Sequence, residues 1–578
     1  MPIHNPDIAK VFHDIADLLE IANADPFRIR AYRNAARTVG ECGVELAELV
    51  ARGEKLPKIP GVGADLSGKI VEICSTGRCE VLAQLQREAP PAIAELLAIP
   101  GMGPRRVQAL YRELDVTTPE QLLECAQRGA IREIRGFGAR AEQKIIDAIN
   151  RHARRDQRTL RAMARPYVES LLERLRRLPG VERTDAAGSY RRGSDTVGDI
   201  DLVVGARSGR AVCEAFAQFD EVGEVLARGR TRASVVLNSG LQVDLRVVET
   251  AAYGAALLYF TGSKAHNIAL RKIAQGRGLK INEYGIYRDE QRLAGASEAE
   301  VYAVLDLPWI APELREDRGE IDAAGAGRLP VLLERTQLRG DLHMHTRASD
   351  GRAGIREMAL AAKAMGHEYI AITDHSRRLR VTHGLDVARL RRQIAEIDRL
   401  QREEDLGIAV LKGIEVDILR DGSLDLPDSV LSRLDVVIGA VHSHFELPRA
   451  EQTERLLRAL DNPWVDVLAH PGCRLIGQRP ACDFDFQAVL RKAAQRHCAL
   501  EIDAQPERLD LAENDCRAAK NGGVPICIDS DAHSVEGLRY LDDGVIHARR
   551  GWIESDDVIN AMPLAQLRGW LHERRVVL

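Results

Sequence analysis

Between residues 341 and 533 one arrangement recurs: a short apolar run ends in a histidine or a carboxylate. The runs are Tyr369 to Thr373, Ala409 to Glu415, Val436 to Val441, Val465 to His470, Ala499 to Asp503 and Pro525 to Asp529. Helical segments separate them, and this β/α alternation over about 240 residues predicts a barrel-like α/β domain. In such a barrel the strand ends converge on one rim. At those ends stand Asp341-Leu342-His343-Met344-His345, Ser349-Asp350-Gly351, Thr373-Asp374-His375, Gly413-Ile414-Glu415, Val441-His442-Ser443-His444, Ala469-His470-Pro471 and Asp529-Ser530-Asp531-Ala532-His533. His343 and His345 flank an apolar residue, so both face one cavity. Histidine is concentrated here, with 12 of 16 after residue 320. Six histidines and three carboxylates supply ligands for two or three ions. Mixed ligation of this kind suits Zn²⁺, Mn²⁺ or Fe²⁺ better than Mg²⁺, and a hydroxide held there can attack a phosphate ester.

The first half carries a different repeat. Ile59-Pro60-Gly61-Val62-Gly63, Ile99-Pro100-Gly101-Met102-Gly103 and Ile134-Arg135-Gly136-Phe137-Gly138 each separate two helical stretches. The glycines allow close backbone approach, and the following helix offers free N–H groups and its positive dipole end. A DNA phosphate fits such a turn without sequence being read. Pro104, just beyond Gly103, suits a first helical position, and Arg105, Arg106 and Arg140 follow the turns. From Arg151 to Arg192 the chain holds twelve Arg against five acids, a stretch suited to phosphates despite a net charge of −5 overall.

A third constellation is Gly188-Ser189-Tyr190-Arg191-Arg192-Gly193 followed by Val197-Gly198-Asp199-Ile200-Asp201. In a strand, Asp199 and Asp201 point to one side. Asp244, in the run Leu241 to Val248, is placed to share a cation with them. Three such carboxylates hold two Mg²⁺ or Mn²⁺ ions that activate a hydroxyl and stabilise leaving pyrophosphate. Ser189, Arg192 and the backbone at Gly198 are candidates for a triphosphate tail.

These motifs resemble known families. The glycine turns resemble the helix-hairpin-helix of DNA repair proteins. The Gly-Ser … Gly-Asp-x-Asp set, with Tyr259-Phe260-Thr261-Gly262-Ser263, Asn267 and Arg271, resembles the nucleotidyltransferase palm and nucleotide-binding subdomain of family X DNA polymerases, the polymerase beta type, over nearly all of residues 1–318. The resemblance implies that Tyr259, Phe260 and Gly262 shape the sugar pocket, Asn267 reaches the base edge and Arg271 touches the template side. Lys264 stands where that family has an acid, and a cation there strengthens triphosphate binding. Lys69 matches by position the Schiff-base lysine of a 5′-deoxyribose-phosphate lyase, but Asp65 replaces a helper lysine. The alternative for Lys69 is plain phosphate binding. The histidine set resembles the PHP (polymerase and histidinol phosphatase) domain, which implies a distorted (β/α)₇ barrel and a trinuclear site. His343, His345, Asp350, His375, Glu415, His442, His470, Asp531 and His533 match its nine ligands. His444 is expected beside the ligands or on a phosphate, and Asp341 and Asp374 are expected to orient ligands. His367, His383, His497, His547 and His572 read as ordinary structural or surface histidines.

The expected architecture is therefore multidomain, α+β and α/β. It has a helical DNA-binding domain (1–90), a helix-hairpin-helix subdomain (91–150), a palm (151–260), a nucleotide-binding polymerase subdomain (261–318), a linker (319–336) and a PHP phosphoesterase domain (337–575). The order resembles bacterial family X polymerases with a PHP domain. It implies gap filling in base excision repair on gapped or primer-template DNA with dNTPs. It also implies 3′-5′ exonuclease action at the PHP site, with AP endonuclease and 3′-phosphatase activities there. Composition agrees: 45% apolar and 29% charged residues can bury cores, ten scattered cysteines suggest no disulfide framework, and the N-terminus is polar. No apolar run approaches a membrane span. A cytoplasmic location is expected, and nothing demands more than a monomer. Two other readings stay open: a phosphatase of small phosphate esters, and a non-catalytic scaffold at DNA gaps.

Overall fold

The computed structural model describes residues 158–576 throughout and, before them, 5–22, 24–40, 46–56, 59, 61–88, 96, 104–134, 137–138, 142 and 145–146. The chain forms two compact units, Met1–Gln157 and Arg158–Leu578.

The first unit is helical. Helices Asn5–Ile21, Pro26–Gly40, Leu46–Ala51 and Ala64–Thr76 enclose a core that includes Ile8, Phe12, Ile15, Tyr32 and Ile70. Helices Pro104–Leu114 and Pro119–Gln127 enclose a second core around Val107, Leu110 and Leu122. Two of the three glycine turns can be compared. Val62 N–H donates to the Ile59 carbonyl at 3.1 Å and Phe137 N–H to the Ile134 carbonyl at 2.9 Å, while Ser67 and Glu142 N–H each donate to the carbonyl of Gly63 and Gly138, both at 2.9 Å. The sequence repeat is thus a backbone repeat: one tight turn, then a helix start. Gly61 sits at φ 77°, which favours glycine. Gly63 caps its helix without any side chain, so the first N–H groups stay open to a ligand. Gly101, Gly103, Gly136 and Arg140 lie outside the described residues, as does the side chain of Arg105.

The second unit begins with the palm. Strands Val181–Ala186, Asp199–Ala206, Gln242–Val248, Arg232–Leu237 and Val222–Arg228 form a sheet in that spatial order, with Asp199–Ala206 and Gln242–Val248 parallel. Helices Arg161–Arg176 and Gly209–Phe216 cover one face over Leu171, Val204, Phe216 and Leu245. Helices Tyr253–Thr261 and Lys264–Gly276 lead to a three-stranded antiparallel sheet, Lys280–Asn282, Gly285–Arg288 and Gln291–Ala294.

The expected linker is packed rather than extended. It holds the helix Glu320–Gly325, and Glu320 is fully buried with its carboxylate 2.6 Å from His266 Nδ1. Buried Leu332 and Leu333 fasten the rest to the two flanking cores. Polymerase-like and barrel portions therefore share one unit.

Seven parallel strands, from Gly340–Asp341 to Ile526–Asp529, lie side by side in chain order. A parallel bridge between Met344 and Ala532 joins the first and last at the carboxyl end, leaving a nearly closed barrel. The strands are buried on both faces, which explains their unbroken apolar runs.

Candidate active sites

The palm site grows from strand register. Asp201 pairs with Asp244 and Asp199 with Gln242 across the parallel strands, so the three carboxylates share one face. Burial, then the charges of Asp199 and Asp244, push the Asp201 carboxyl up to about 7. Ser234 Oγ donates to Asp244 Oδ1, and Gln242 Nε2 donates to Oδ2 at 2.9 Å. This clustered negative charge, offset only in part by Arg232, Arg246 and Arg192, fits divalent cations. Among the described residues, the groups gathered to ligand spacing all lie in the barrel. In the palm, the Asp244 oxygens are turned to Ser234, Gln242 and Arg232.

Helix Gly188–Arg191 starts against this site. Gly188 sits at φ 61°, and a Cβ there would collide with Asp201 Oδ2, so only glycine lets the helix start this close. Ser189 lies in that helix, and Gly198 is exposed just before Asp199. Arg192 donates from Nε to Glu316 Oε1 at 2.9 Å and from Nη1 to the Thr261 carbonyl at 2.6 Å. Arg191 makes a two-pronged pair with Glu298 at 2.7 and 2.8 Å, and Glu298 also holds the fully buried Arg315. Much of the basic stretch is thus spent internally: Arg161 and Arg165 both bond Asp543, and Arg174 bonds Glu221.

Tyr259 and Phe260 meet edge to face at 5.1 Å. Asn267 Nδ2 donates to the Tyr259 carbonyl at 2.7 Å, and Arg271 lies 5.2 Å over the Tyr259 ring. These four residues therefore form one cluster. Gly262, at φ 69°, turns the chain, and Lys264 is exposed at the start of the next helix. In the first unit, Arg106 is exposed, 5.6 Å over the Phe137 ring. Lys69 pairs with Asp65 on one helix. Burial pulls its ammonium pKa down, but Asp65 and Tyr32 together outweigh this and raise it, away from the free amine a Schiff base needs.

The barrel site centres on Glu415, which is buried. Its Oε1 lies 3.1 Å from both His442 Nε2 and His470 Nε2 and 3.6 Å from His343 Nε2. Its Oε2 faces His375 Nδ1 and lies 3.8 Å from His345 Nε2. Asp531 Oδ1 lies 2.8 Å from His345 Nε2 and 3.6 Å from His343 Nε2. Asp350 reaches the outer side, 3.6 Å from His375 and 3.5 Å from His533. All nine expected ligands are in this cluster. His343 Nε2, His345 Nδ1 and Glu415 Oε2 are buried without hydrogen-bond partners, the state of ligands made for a cation. Among the described residues, four compact groups have the spacing to hold a metal ion each: His345/Asp350/His375/His533, His343/His345/Glu415, His375/Glu415/His442 and His470/Glu501/Asp503.

Behind the ligands sit groups that the sequence reading missed. Glu501 accepts from His343 Nδ1 at 2.6 Å and from the His470 backbone N–H at 2.8 Å. Asp417 Oδ1 lies 3.1 Å from His442 Nδ1. Each fixes a ring's orientation and tautomer. Asp417 follows an apolar run, which was its one visible signal, whereas Glu501 lies within one. Asp374 accepts from Thr346 N–H at 2.7 Å and Ser349 N–H at 3.2 Å, ordering the loop that carries Asp350. Asp341 accepts from Ser530 Oγ at 2.5 Å, beside Asp531. His444 is exposed next to His442. Two other histidines are structural: His367 meets Arg335 at 3.2 Å, and His547 holds Asp195 at 3.0 Å.

Comparison with known proteins covers the whole chain. Family profiles match for a helix-hairpin-helix domain (residues 3–79), a SAM-like helix-hairpin-helix tandem (93–151), the DNA polymerase beta thumb (256–316) and the PHP domain (341–502). The chain is 36% identical over 573 residues to the DNA polymerase/3′-5′ exonuclease PolX of Bacillus subtilis, covering 98% of this chain and 99% of that one. The barrel region alone is similar to smaller proteins. A probable phosphatase of a Thermoanaerobacter species is 29% identical over 41% of this chain and 95% of its own. One of Acetivibrio thermocellus is 34% identical over 33% of this chain and 78% of its own.

Proposed function

The chain belongs to the family of the DNA polymerase/3′-5′ exonuclease PolX, and we propose that it divides these two activities between the palm and the barrel. It is a DNA-directed DNA polymerase with a linked 3′-5′ exonuclease. The observation that carries the division is that one compact unit holds two unlike acidic sets. The all-carboxylate set centres on the Asp201–Asp244 register pair, and the His/carboxylate set centres on Glu415.

At the palm, Asp199, Asp201 and Asp244 would hold Mg²⁺ or Mn²⁺, and the ion would supply activation of the primer 3′-hydroxyl and charge neutralisation for leaving pyrophosphate. Ser189, Arg192 and the Gly198 backbone receive the triphosphate. Tyr259, Phe260 and Gly262 shape the sugar pocket. Asn267 and Arg271 sit toward the base and template, and Lys264 adds charge beside the triphosphate. At the barrel, the nine candidate ligands would hold two to three Mn²⁺, Zn²⁺ or Fe²⁺ ions, whose chemistry would be to make water nucleophilic at neutral pH. Glu415 keeps the ligand rings convergent, and Glu501 and Asp417 fix their tautomers. Gapped or primer-template DNA is held by the glycine turns around Gly61, Gly63, Gly101, Gly103, Gly136 and Gly138, with Arg105 and Arg106. The biological setting is short-gap filling in base excision repair. The likeness of the barrel region to probable phosphatases favours one further activity at that site, removal of a 3′-phosphate.

The test is a 5′-labelled primer in a one-nucleotide gap with Mn²⁺, with and without dNTPs. Extension with nucleotides and shortening without them support the reading. Gap binding with neither change overturns it in favour of a scaffold. Turnover of a small phosphate ester without any action on DNA overturns it in favour of a phosphatase.

A further inference from the structure

The loop that follows the nucleotide-binding helix is anchored by the barrel. Gly193 is buried at φ 72°, and a Cβ there would collide with Ile546 on helix Leu541–Arg550. Asp195 lies between His547 Nδ1 at 3.0 Å and Arg474 Nη2 at 2.9 Å, and Arg474 is four residues beyond the ligand His470. Arg550, at the end of the same helix, is buried. It donates from Nη1 to the Arg192 carbonyl at 2.7 Å and to Glu316 Oε1 at 3.0 Å, and its Nε bonds Glu513. Glu316 Oε1 is the same oxygen that takes Arg192 Nε.

We infer that Arg550 is a positioning residue for nucleotide binding at the palm: it shares Glu316 with Arg192 and pins the Arg192 backbone, so that the barrel sets the polymerase's affinity for dNTPs. The inference rests on the reading of Arg192 as a triphosphate ligand. Glu316 carries one negative charge between two guanidiniums. While Arg550 shares it, Arg192 is only partly neutralised and keeps net positive character toward a phosphate. Without Arg550, Glu316 pairs with Arg192 alone and competes with the triphosphate for the same cation. The backbone at Arg192 also loses the bond that fixes where its side chain starts. Both effects weaken nucleotide binding and leave the chemistry at Asp199, Asp201 and Asp244 untouched. Lysine keeps the charge but cannot span the Arg192 carbonyl, Glu316 and Glu513 as the guanidinium fork does.

The experiment uses the full chain on gapped DNA. It measures dNTP KM and kcat for Arg550→Ala, Arg550→Lys, Arg192→Ala and the Arg550→Ala/Arg192→Ala pair, with 3′-5′ exonuclease rate and melting temperature alongside. Arg550→Ala should raise dNTP KM about 10-fold with kcat within about twofold, since uniform binding is lost rather than transition-state stabilisation. Removing a buried, paired guanidinium lowers the melting temperature, but exonuclease activity measured well below the melt should hold, and Arg550→Lys should recover part of the affinity. The double variant should match Arg192→Ala, because a residue acting through Arg192 has nothing left to position. An additive double variant overturns the inference, as does Arg550→Ala lowering both activities well below its melt. So does an unchanged KM in Arg550→Ala beside a raised one in Arg192→Ala. An unchanged KM in Arg192→Ala would overturn the reading of Arg192 itself, and the inference with it.

Discussion

Asp201 and Asp244 are register partners on adjacent parallel strands, so two carboxylates leave the palm sheet side by side on one face. Asp199 adds a third charge two residues earlier on the same strand. The sheet thus builds in a repulsion that a cation relieves.

That repulsion has a pH signature in the metal-free protein. Asp201 is pushed up to about 7, mainly by burial and then by its two carboxylate neighbours, from an ordinary value of 3.8. Between these values the folded chain keeps a proton that the unfolded chain has lost, so stability falls as pH rises from about 4 to about 7. Thermal melts in chelator should show that fall. Asp201→Asn should reduce it by Asp201's share, leaving that of buried Asp341 and Glu501, which are also pushed up to about 7. Saturating Mg²⁺ should reduce it further. A slope unchanged in Asp201→Asn would assign the titration elsewhere.

The two sites should be separable. Asp199→Ala with Asp201→Ala should cut dNTP incorporation by about 10³-fold or more while exonuclease rate stays within about twofold. His343→Ala should do the reverse, because its ring meets only barrel groups, Glu501, Glu415 and Asp531. Chelation should remove both activities. Parallel loss of both in either variant, with melting temperature intact, would argue against two independent centres.

Glu501 should matter to the metals although it need not touch one. It accepts from His343 Nδ1 and from the His470 N–H with its two oxygens. Glutamine keeps the shape but can accept only one of these bonds, and its amide then faces a donor. Glu501→Gln should weaken metal retention by about 10- to 100-fold. This would be read as a higher Mn²⁺ concentration for half-maximal exonuclease activity, with polymerase activity unaffected. An unchanged Mn²⁺ requirement would make Glu501 a packing residue.

The candidate ligand residues stand out in the sequence because their signals are local. A histidine at the end of an apolar run, or Asp-x-Asp in a strand, is visible without knowing what lies across the sheet. The supporting residues were hidden because their meaning is non-local. Glu501 looks like any acid within a strand until the fold brings it 158 positions back to His343. Arg192 was legible as an anion ligand, but its sharing of Glu316 with Arg550 depends on a packing of helix Leu541–Arg550 that no spacing encodes. The supposed linker misled for the opposite reason. Its Gly/Ala content suggests a spacer, yet buried Glu320 closes a hydrogen-bonded chain with His266 and Tyr302.

Glu298 joins the palm to the next subdomain and should be the most sensitive non-catalytic residue nearby. It takes Arg191 Nη1 and Nη2, Arg315 Nη1 and Trp309 Nε1, at 2.7 to 3.0 Å. Arg315 is fully buried, so removing the carboxylate strands its charge. Glu298→Ala should cost about 3–5 kcal/mol, as breaking a buried pair does. Although burial opposes it, these donors hold the Glu298 carboxyl well below its ordinary value of 4.5. A depressed carboxyl contributes stability above that value and loses it as pH falls toward the folded pKa. The gap between wild type and Glu298→Gln in urea melts should therefore be full at neutral pH and shrink progressively below about pH 4.5. Arg191 lies in helix Gly188–Arg191, proposed to receive the nucleotide, so the same variant should also raise dNTP KM while exonuclease rate holds. A gap independent of pH would mean that folding leaves the Glu298 carboxyl unshifted, and the pairing with Arg315 would then lose its electrostatic basis.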